Sequence, residues 1–99
     1  AEVRERVVRA RKIQRERFSE DGIYTNAMMD NRLIEKYCPL DDECREFLRR
    51  TIESMGLSAR ACMRIIRIAR TIADLEGSRD ISILHLSEAT GFRFMDKAL

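Results

Sequence analysis

The segment from Ser58 to Gly77 constrains the fold more than any other part of this sequence. Ser58 is a favoured helix N-cap and Gly77 a favoured residue just past a helix end, so the segment predicts one long helix ending at about Glu76. At about 100° per residue, its apolar side chains converge on one arc. They are Ala61, Ile65, Ile68, Ala69 and Ile72. A helix with such a face must bury it against other elements.

The rest of the chain carries further helix signals and no convincing strand or repeat. The other predicted helices cover residues 2–18, about 30–37, the segment from N-cap Asp41 to Gly56, and a last segment that begins after Ser82. The apolar face of this last helix comprises Ile83, Leu86 and Phe94. Residues 19–26 are predicted as a loop, and Gly91 is expected to end or weaken the last helix early. These elements predict an all-α fold, a compact bundle of about five helices.

Length and composition narrow the class of protein. A chain of 99 residues is one domain, with 44% apolar and 36% charged residues and no stretch long enough to cross a bilayer. Without a signal-peptide pattern, we expect a soluble, cytoplasmic protein with no membrane partner. The chain begins at Ala1 inside a helical pattern, which suggests a piece of a longer protein.

The residues that could carry catalysis are few. The sequence has no GxxxxGK[ST] phosphate loop, one histidine (His85), and serines without a plausible base. His85 is better explained as a structural or surface histidine than as a catalytic one. The odd cysteine count, Cys38, Cys44 and Cys62, without CxxC spacing, indicates reduced, partly buried thiols rather than disulfides or zinc. We therefore expect no metal site and no enzyme activity, including ATP hydrolysis, from these residues alone.

The basic residues are distributed unevenly. Residues 1–17 hold six Arg and one Lys against three Glu, a net charge of +4 within a chain of net charge +2. On the helix after Ser58, Arg60, Arg64 and Arg67 converge on an arc of about 60° opposite the apolar one, with Thr71 continuing the line and Arg70 at its edge. Both features are compatible with a solvated face. Alternatively, residues 1–17 could form a docking surface or bind nucleic acid, and the arginine arc could form an anion site.

Arg60 is the best placed of these arginines for an anion. It lies in the first turn of the predicted helix, where backbone amides and the helix dipole also attract negative charge. Arg64 and Arg67 are secondary candidates because they lie further along the helix.

Several segments resemble the magnesium-chelatase-like AAA+ ATPases of the YifB/ComM type. The central match is formed by residues 56–61 (GLSARA) and 64–77 (RIIRIARTIADLEG). Further matches are residues 5–11 (ERVVRAR), 14–18 (QRERF), 26–27 (NA) and 83–89 (ILHLSEA). The resemblance covers nearly the whole chain. Two departures from the family pattern are Cys62 and Met63, where an aromatic and a polar residue are common, and Gly91 in place of a better helix former.

The resemblance implies a part of a larger machine. Residues 1–99 would be a single C-terminal helical lid, with 1–18 as its basic lead-in helix, and Arg60 would be the sensor 2 arginine that contacts nucleotide phosphate. ATP and magnesium would be cofactors of the parent ATPase and not of this fragment alone. The implied partners are the preceding AAA+ nucleotide-binding domain and neighbouring subunits of a hexameric ring. The ring geometry would decide whether Arg60 acts in cis, on the nucleotide of its own subunit, or in trans, on that of a neighbour. Proteins of this type are linked to DNA processing in natural transformation, as branch-migration motors, whereas true chelatase subunits insert magnesium into porphyrin.

Three hypotheses follow from these features. The first is the ATPase lid, which depends on a separate nucleotide-binding domain. The second is a stand-alone helical nucleic-acid-binding domain that uses the arginine arc and binds DNA in a salt-dependent way. The third is a purely structural interaction bundle, which needs neither nucleotide nor DNA.

Overall fold

Helices form nearly all of the ordered structure in this computed structural model, which describes the backbone of residues 2–98 and the side chains of residues 3–91. The α-helices are α1 (Glu2–Arg17), α2 (Asn31–Tyr37), α3 (Asp42–Met55), α4 (Ala59–Glu76) and α5 (Ile83–Ala98), with a short 3₁₀ helix at Asn26–Met28. Residues 2–98 contain no strand. The predicted all-α class and the five helices are therefore confirmed. The 3₁₀ helix was not predicted, and it begins at the last residue of the predicted loop 19–26.

The helix ends follow the predicted local signals. The side chains of Asp30 and Asp41 accept backbone hydrogen bonds from Leu33 (2.9 Å) and Cys44 (2.8 Å) at the starts of α2 and α3. Hydrogen bonding to Cys44 lowers the pKa of Asp41, because it favours the charged carboxylate. Ser58 Oγ accepts from the amide of Ala61 at 3.2 Å and begins α4.

Two glycines terminate helices in the left-handed conformation. Gly56 (φ 62°) follows α3 and Gly77 (φ 75°) follows α4, where a residue with a Cβ would be strained. Gly91 was expected to end or weaken the last helix early. It does not end the helix, since α5 continues through it to Ala98. A glycine costs a helix about 1 kcal/mol relative to Ala and does not by itself break the hydrogen-bond ladder. Phe94, which we assigned to the apolar face of α5, lies outside the described side chains.

Helix α4 is the centre of the bundle. It contacts α1, α2, α5 and the 3₁₀ helix, and its side chains Ile65, Ala69 and Ala73 are fully buried. The predicted apolar face is therefore the buried face, although Ile68 is only partly buried at its edge. Phe18, which directly follows α1, and Leu86 from α5 complete the core around these residues.

The position of Ile65 gives a first prediction. Ile65→Ala should lower the free energy of unfolding by about 2–5 kcal/mol, because truncation of a fully buried side chain leaves a cavity. Ile68→Ala, on the same helix but partly exposed, should cost clearly less. Denaturant unfolding of both variants measures the difference. Equal losses, or a loss below about 0.5 kcal/mol for Ile65→Ala, would show that the buried face is assigned wrongly.

The three cysteines are free thiols in the interior, as predicted, and more deeply buried than expected. Burial raises the pKa of Cys38 and of Cys44 to about 11, and it also raises the pKa of Cys62. The described side chains contain no cluster of metal-ligating residues. No helix in the described part of the chain combines the length and the apolar character needed to span a membrane.

Candidate functional site

Arg60 lies at the exposed start of α4. Ser58 occupies the N-cap. Its hydroxyl accepts a hydrogen bond from the amide of Ala61, and its carbonyl accepts one from the amide of Cys62 at 3.0 Å. The amides of Ala59 and Arg60 precede the first helical hydrogen bond and have no acceptor within the helix. The exposed Arg60 side chain therefore begins beside backbone N–H groups and the positive end of an eighteen-residue helix. This arrangement favours an anion.

The arginines of α4 border two neighbouring surface grooves. Arg60 and Arg67 line a groove of about 350 Å³ together with Asn31, Ala59 and Met63. Arg64 and Arg67 line a second groove of about 490 Å³, whose floor is largely apolar. The remaining residues of this second groove are Ala27, Ile68, Thr71, Ile72 and Leu75. The structure thus places the three predicted arginines along one continuous face, with Arg67 shared by both grooves.

Arg67 differs from Arg60 in exposure and in its contacts. It is half-buried, and its Nη1 donates to the carbonyl of Met29 at 3.4 Å. This hydrogen bond holds the guanidinium against the chain that follows the 3₁₀ helix. Arg60 and Arg64 are exposed. The ranking made from the sequence, in which Arg60 is the first candidate for an anion, stays a prediction.

Arg70, which its helical angle puts at the edge of the arginine arc, is buried and does not belong to the exposed basic face. It is 3% exposed, and its guanidinium donates to the carbonyls of Ser78 (2.9 Å) and Arg79 (3.0 Å). The chain turns back after Gly77 and brings these carbonyls to the guanidinium. Nη2 of Arg70 also forms an ion pair with Oδ1 of Asp74 at 3.3 Å. The side chain therefore connects the last turns of α4 to the turn that follows, and it does not face solvent.

A buried polar network next to this face was missed by the sequence analysis. Asp74 is 1% exposed and accepts two hydrogen bonds of 2.8 Å from the guanidinium of Arg17. Asn26 donates to the same carboxylate at 2.8 Å and to Thr71 Oγ1 at 3.1 Å. The backbone amide of Asn26 in turn donates to Gln14 at 3.0 Å. We name this set, Gln14, Arg17, Asn26, Thr71 and Asp74, the Asp74 network.

The Asp74 network joins three elements that are distant in sequence. Gln14 and Arg17 come from α1, Asn26 from the 3₁₀ helix, and Thr71 and Asp74 from α4. Because Thr71 also lines the second groove, the network lies directly beneath the arginine face. One signal was visible in the sequence. Gln14 lies on the same side of α1 as the apolar stripe that includes Val7 and Ala10, and a polar residue there needs a buried partner.

His85 has the structural role favoured by the sequence. It is 3% exposed, and its Nδ1 accepts from the backbone amide of Ser82 at 2.9 Å. Its Nε2 must then carry the proton, which it donates to Glu76. Ser82 Oγ accepts from the amide of His85 at 3.4 Å, so the two residues form a reciprocal cap at the start of α5.

The sequence of this chain matches a known family over almost its full length. The model of the family described as magnesium chelatase, subunit ChlI C-terminal, matches residues 1–93. The chain belongs to this magnesium chelatase C-terminal family. The matched residues include Arg60, Arg64 and Arg67 as well as the Asp74 network.

Curated relatives carry the same C-terminal domain in much longer proteins. The chain is 42% identical over its 99 residues to competence protein ComM of Haemophilus influenzae. It is 39% and 38% identical to the YifB proteins of Salmonella typhimurium and Escherichia coli, whose function is uncharacterised. In each case the match covers 100% of this chain and 19% of the relative's length. This chain therefore spans about a fifth of the relatives it matches.

Proposed function

We propose that this chain is the C-terminal lid of a bacterial, cytoplasmic AAA+ ATPase of the magnesium-chelatase-like family. In this role it contributes Arg60 as the sensor 2 arginine to an ATP site that is built mainly on a preceding nucleotide-binding domain. Arg64 and Arg67 contribute positive charge along the same face. The lid couples ATP hydrolysis to remodelling of a substrate, which we propose to be DNA.

One observation carries this proposal: Arg60 is an exposed arginine in the first turn of α4, in a chain that belongs to the magnesium chelatase C-terminal family. A guanidinium and the free amides of a helix start can hold the same phosphate group. The phosphate loop and the magnesium ligands would lie on the preceding domain. Residues 1–99 would bind neither ATP nor magnesium without it, and a neighbouring subunit of a ring could supply the facing surface.

The Asp74 network supports the proposal because it connects the helix that carries Arg60 to α1. Helix α1 is the lead-in helix of the lid, so a mechanical signal from an upstream domain would reach α4 through it. Arg17 fixes α1 to Asp74 with two hydrogen bonds, while Asn26 ties the 3₁₀ helix to the same carboxylate. A lid held in this way moves as one body and keeps Arg60 at a defined distance from the lead-in helix.

The support for DNA as the substrate comes from a relative. The 42% identical protein of Haemophilus influenzae is named a competence protein. Competence is the uptake of DNA by a cell, so a role in DNA processing is the simplest extension to this chain.

The proposal is tested by nucleotide affinity in the full-length ATPase. Arg60→Ala should weaken ATP binding by about 10-fold or more, since a hydrogen bond to a charged group contributes about 1.5–3 kcal/mol. ADP binding should change much less, because the terminal phosphate is absent. Fluorescent nucleotide titration measures both affinities, with Arg45→Ala on the exposed face of α3 as the matched control. Unchanged ATP affinity in Arg60→Ala would contradict the sensor assignment.

A further inference from the structure

The outer face of α1 carries a second concentration of positive charge, separate from the arginines of α4. Four exposed cations lie there, and we call them the α1 basic stripe. They are Arg4, Arg11, Lys12 and Arg15. At about 100° per residue they occupy an arc of roughly 100°, and the exposed Val8 lies within it. The neighbouring carboxylates Glu5 and Glu16 fall just outside this arc.

The packing of α1 determines which way this stripe faces. Ala10 and Gln14 are buried, and Arg17 is bound to Asp74 of α4. The α1 basic stripe lies on the opposite side of the helix and points away from the bundle. From Arg4 to Arg15 the stripe extends about 16 Å along the helix axis.

The cations of the α1 basic stripe are not held by acidic partners within the described side chains. None of its four members makes an ion pair or a side-chain hydrogen bond in residues 3–91. Helix α3 shows the opposite arrangement. There Arg49 binds Glu46 and Glu53 at 2.6 and 2.7 Å, and Arg50 binds Glu46 at 3.1 Å. Within residues 3–91, the arginines of α3 are thus held by carboxylates of their own helix, and the cations of the α1 basic stripe are not.

We propose that the α1 basic stripe binds the phosphate backbone of duplex DNA. Each strand of duplex DNA presents one phosphate per about 3.4 Å of the helix axis, so a stripe of about 16 Å faces several phosphates at once. Three of the four cations are arginines, whose planar donor groups match phosphate oxygens. Contacts of this kind position a protein on DNA without reading its sequence.

The same surface fits other partners less well. A protein interface usually has an apolar or aromatic centre, and the stripe offers only Val8. A helix that lies on a membrane must present an apolar face to the lipid, and the apolar face of α1 is packed against the bundle. The proposal does not rest on the nucleotide role of Arg60, although it would place a DNA contact on the lead-in helix of the same lid.

The test compares two variants with the same change in net charge. Titration of the chain into a fluorescein-labelled DNA duplex of arbitrary sequence, without nucleotide, gives the affinity over a range of salt concentrations. R4Q/R11Q/R15Q should bind at least 10-fold more weakly and should reduce the slope of log affinity against log salt by about 3. R45Q/R49Q/R50Q on α3 should stay within about twofold of the unmodified chain.

Several outcomes would overturn the proposal. Equal losses in the two triple variants would mean that net charge alone decides binding, and absence of binding by the unmodified chain at low salt would exclude the surface altogether. Stronger binding to anionic lipid vesicles or to an acidic protein than to the duplex would assign the stripe to a different partner. Thermal unfolding controls for folding. If the triple variant of α1 is unstable, R11Q alone should still reduce the salt slope by about 1.

Discussion

Asp74→Ala is expected to lower the free energy of unfolding by about 3–5 kcal/mol, the range observed when one partner of a buried ion pair is removed. The carboxylate is 1% exposed and receives hydrogen bonds from Arg17 and Asn26. Without it, the side chain of Arg17, which is only 12% exposed, and that of Arg70, which is 4% exposed, would share a buried site with no acidic partner. The destabilisation therefore comes mainly from unpaired charge rather than from the loss of one attraction.

The measurement is denaturant unfolding of Asp74→Ala beside a control that also removes a carboxylate. Glu46→Ala on α3 is suitable, because Glu46 pairs with two arginines but at the surface. Surface ion pairs contribute little, so this variant should unfold close to the unmodified chain. If Asp74→Ala were no more destabilised than Glu46→Ala, the Asp74 network would not hold α1, the 3₁₀ helix and α4 together.

The helix boundaries were predictable because their signals are local. Asp41, Ser58 and Gly77 each act on backbone groups within a few residues, and the structure confirms all three positions. Periodicity also identified the buried face of α4, centred on Ile65. Periodicity does not predict the burial of Ile68 as well, because a residue at the border of the arc is buried only if a neighbouring element reaches it.

The errors concern contacts between separate elements of the fold. Arg70 lies near the arginines by helical angle alone, and only the turn after Gly77 explains why it is buried. Asn26 was noted as part of a family pattern, but its hydrogen bond to Asp74 joins residues that are 48 positions apart in the sequence. No local pattern indicates such a pairing. Gln14, a polar residue within an apolar stripe, was the one residue that indicated a buried network.

The central claim is the assignment of Arg60, and it is tested most directly by ATP turnover. In the full-length ATPase, Arg60→Ala should lower the turnover rate by at least about 10-fold. An arginine finger that stabilises the transferred phosphoryl group contributes about 10³–10⁵ in rate. A sensor arginine shares that task with other groups, so we expect the loss to be smaller than this range but clear.

The controls separate a role at the phosphate from a structural role. Arg60 is exposed, so thermal unfolding of Arg60→Ala should match that of the unmodified protein. Arg64→Ala and Arg67→Ala should lose less turnover than Arg60→Ala. If these two abolished DNA binding while Arg60→Ala changed nothing, the α4 face would belong to a nucleic-acid-binding domain.

The decisive measurement is therefore the steady-state ATP turnover of the assembled full-length protein with Arg60 replaced by Ala, beside Arg45→Ala. We predict a loss of at least about 10-fold for Arg60→Ala, with unchanged thermal stability and unchanged turnover in the control. Unchanged turnover of Arg60→Ala in an intact assembly would contradict the sensor 2 assignment.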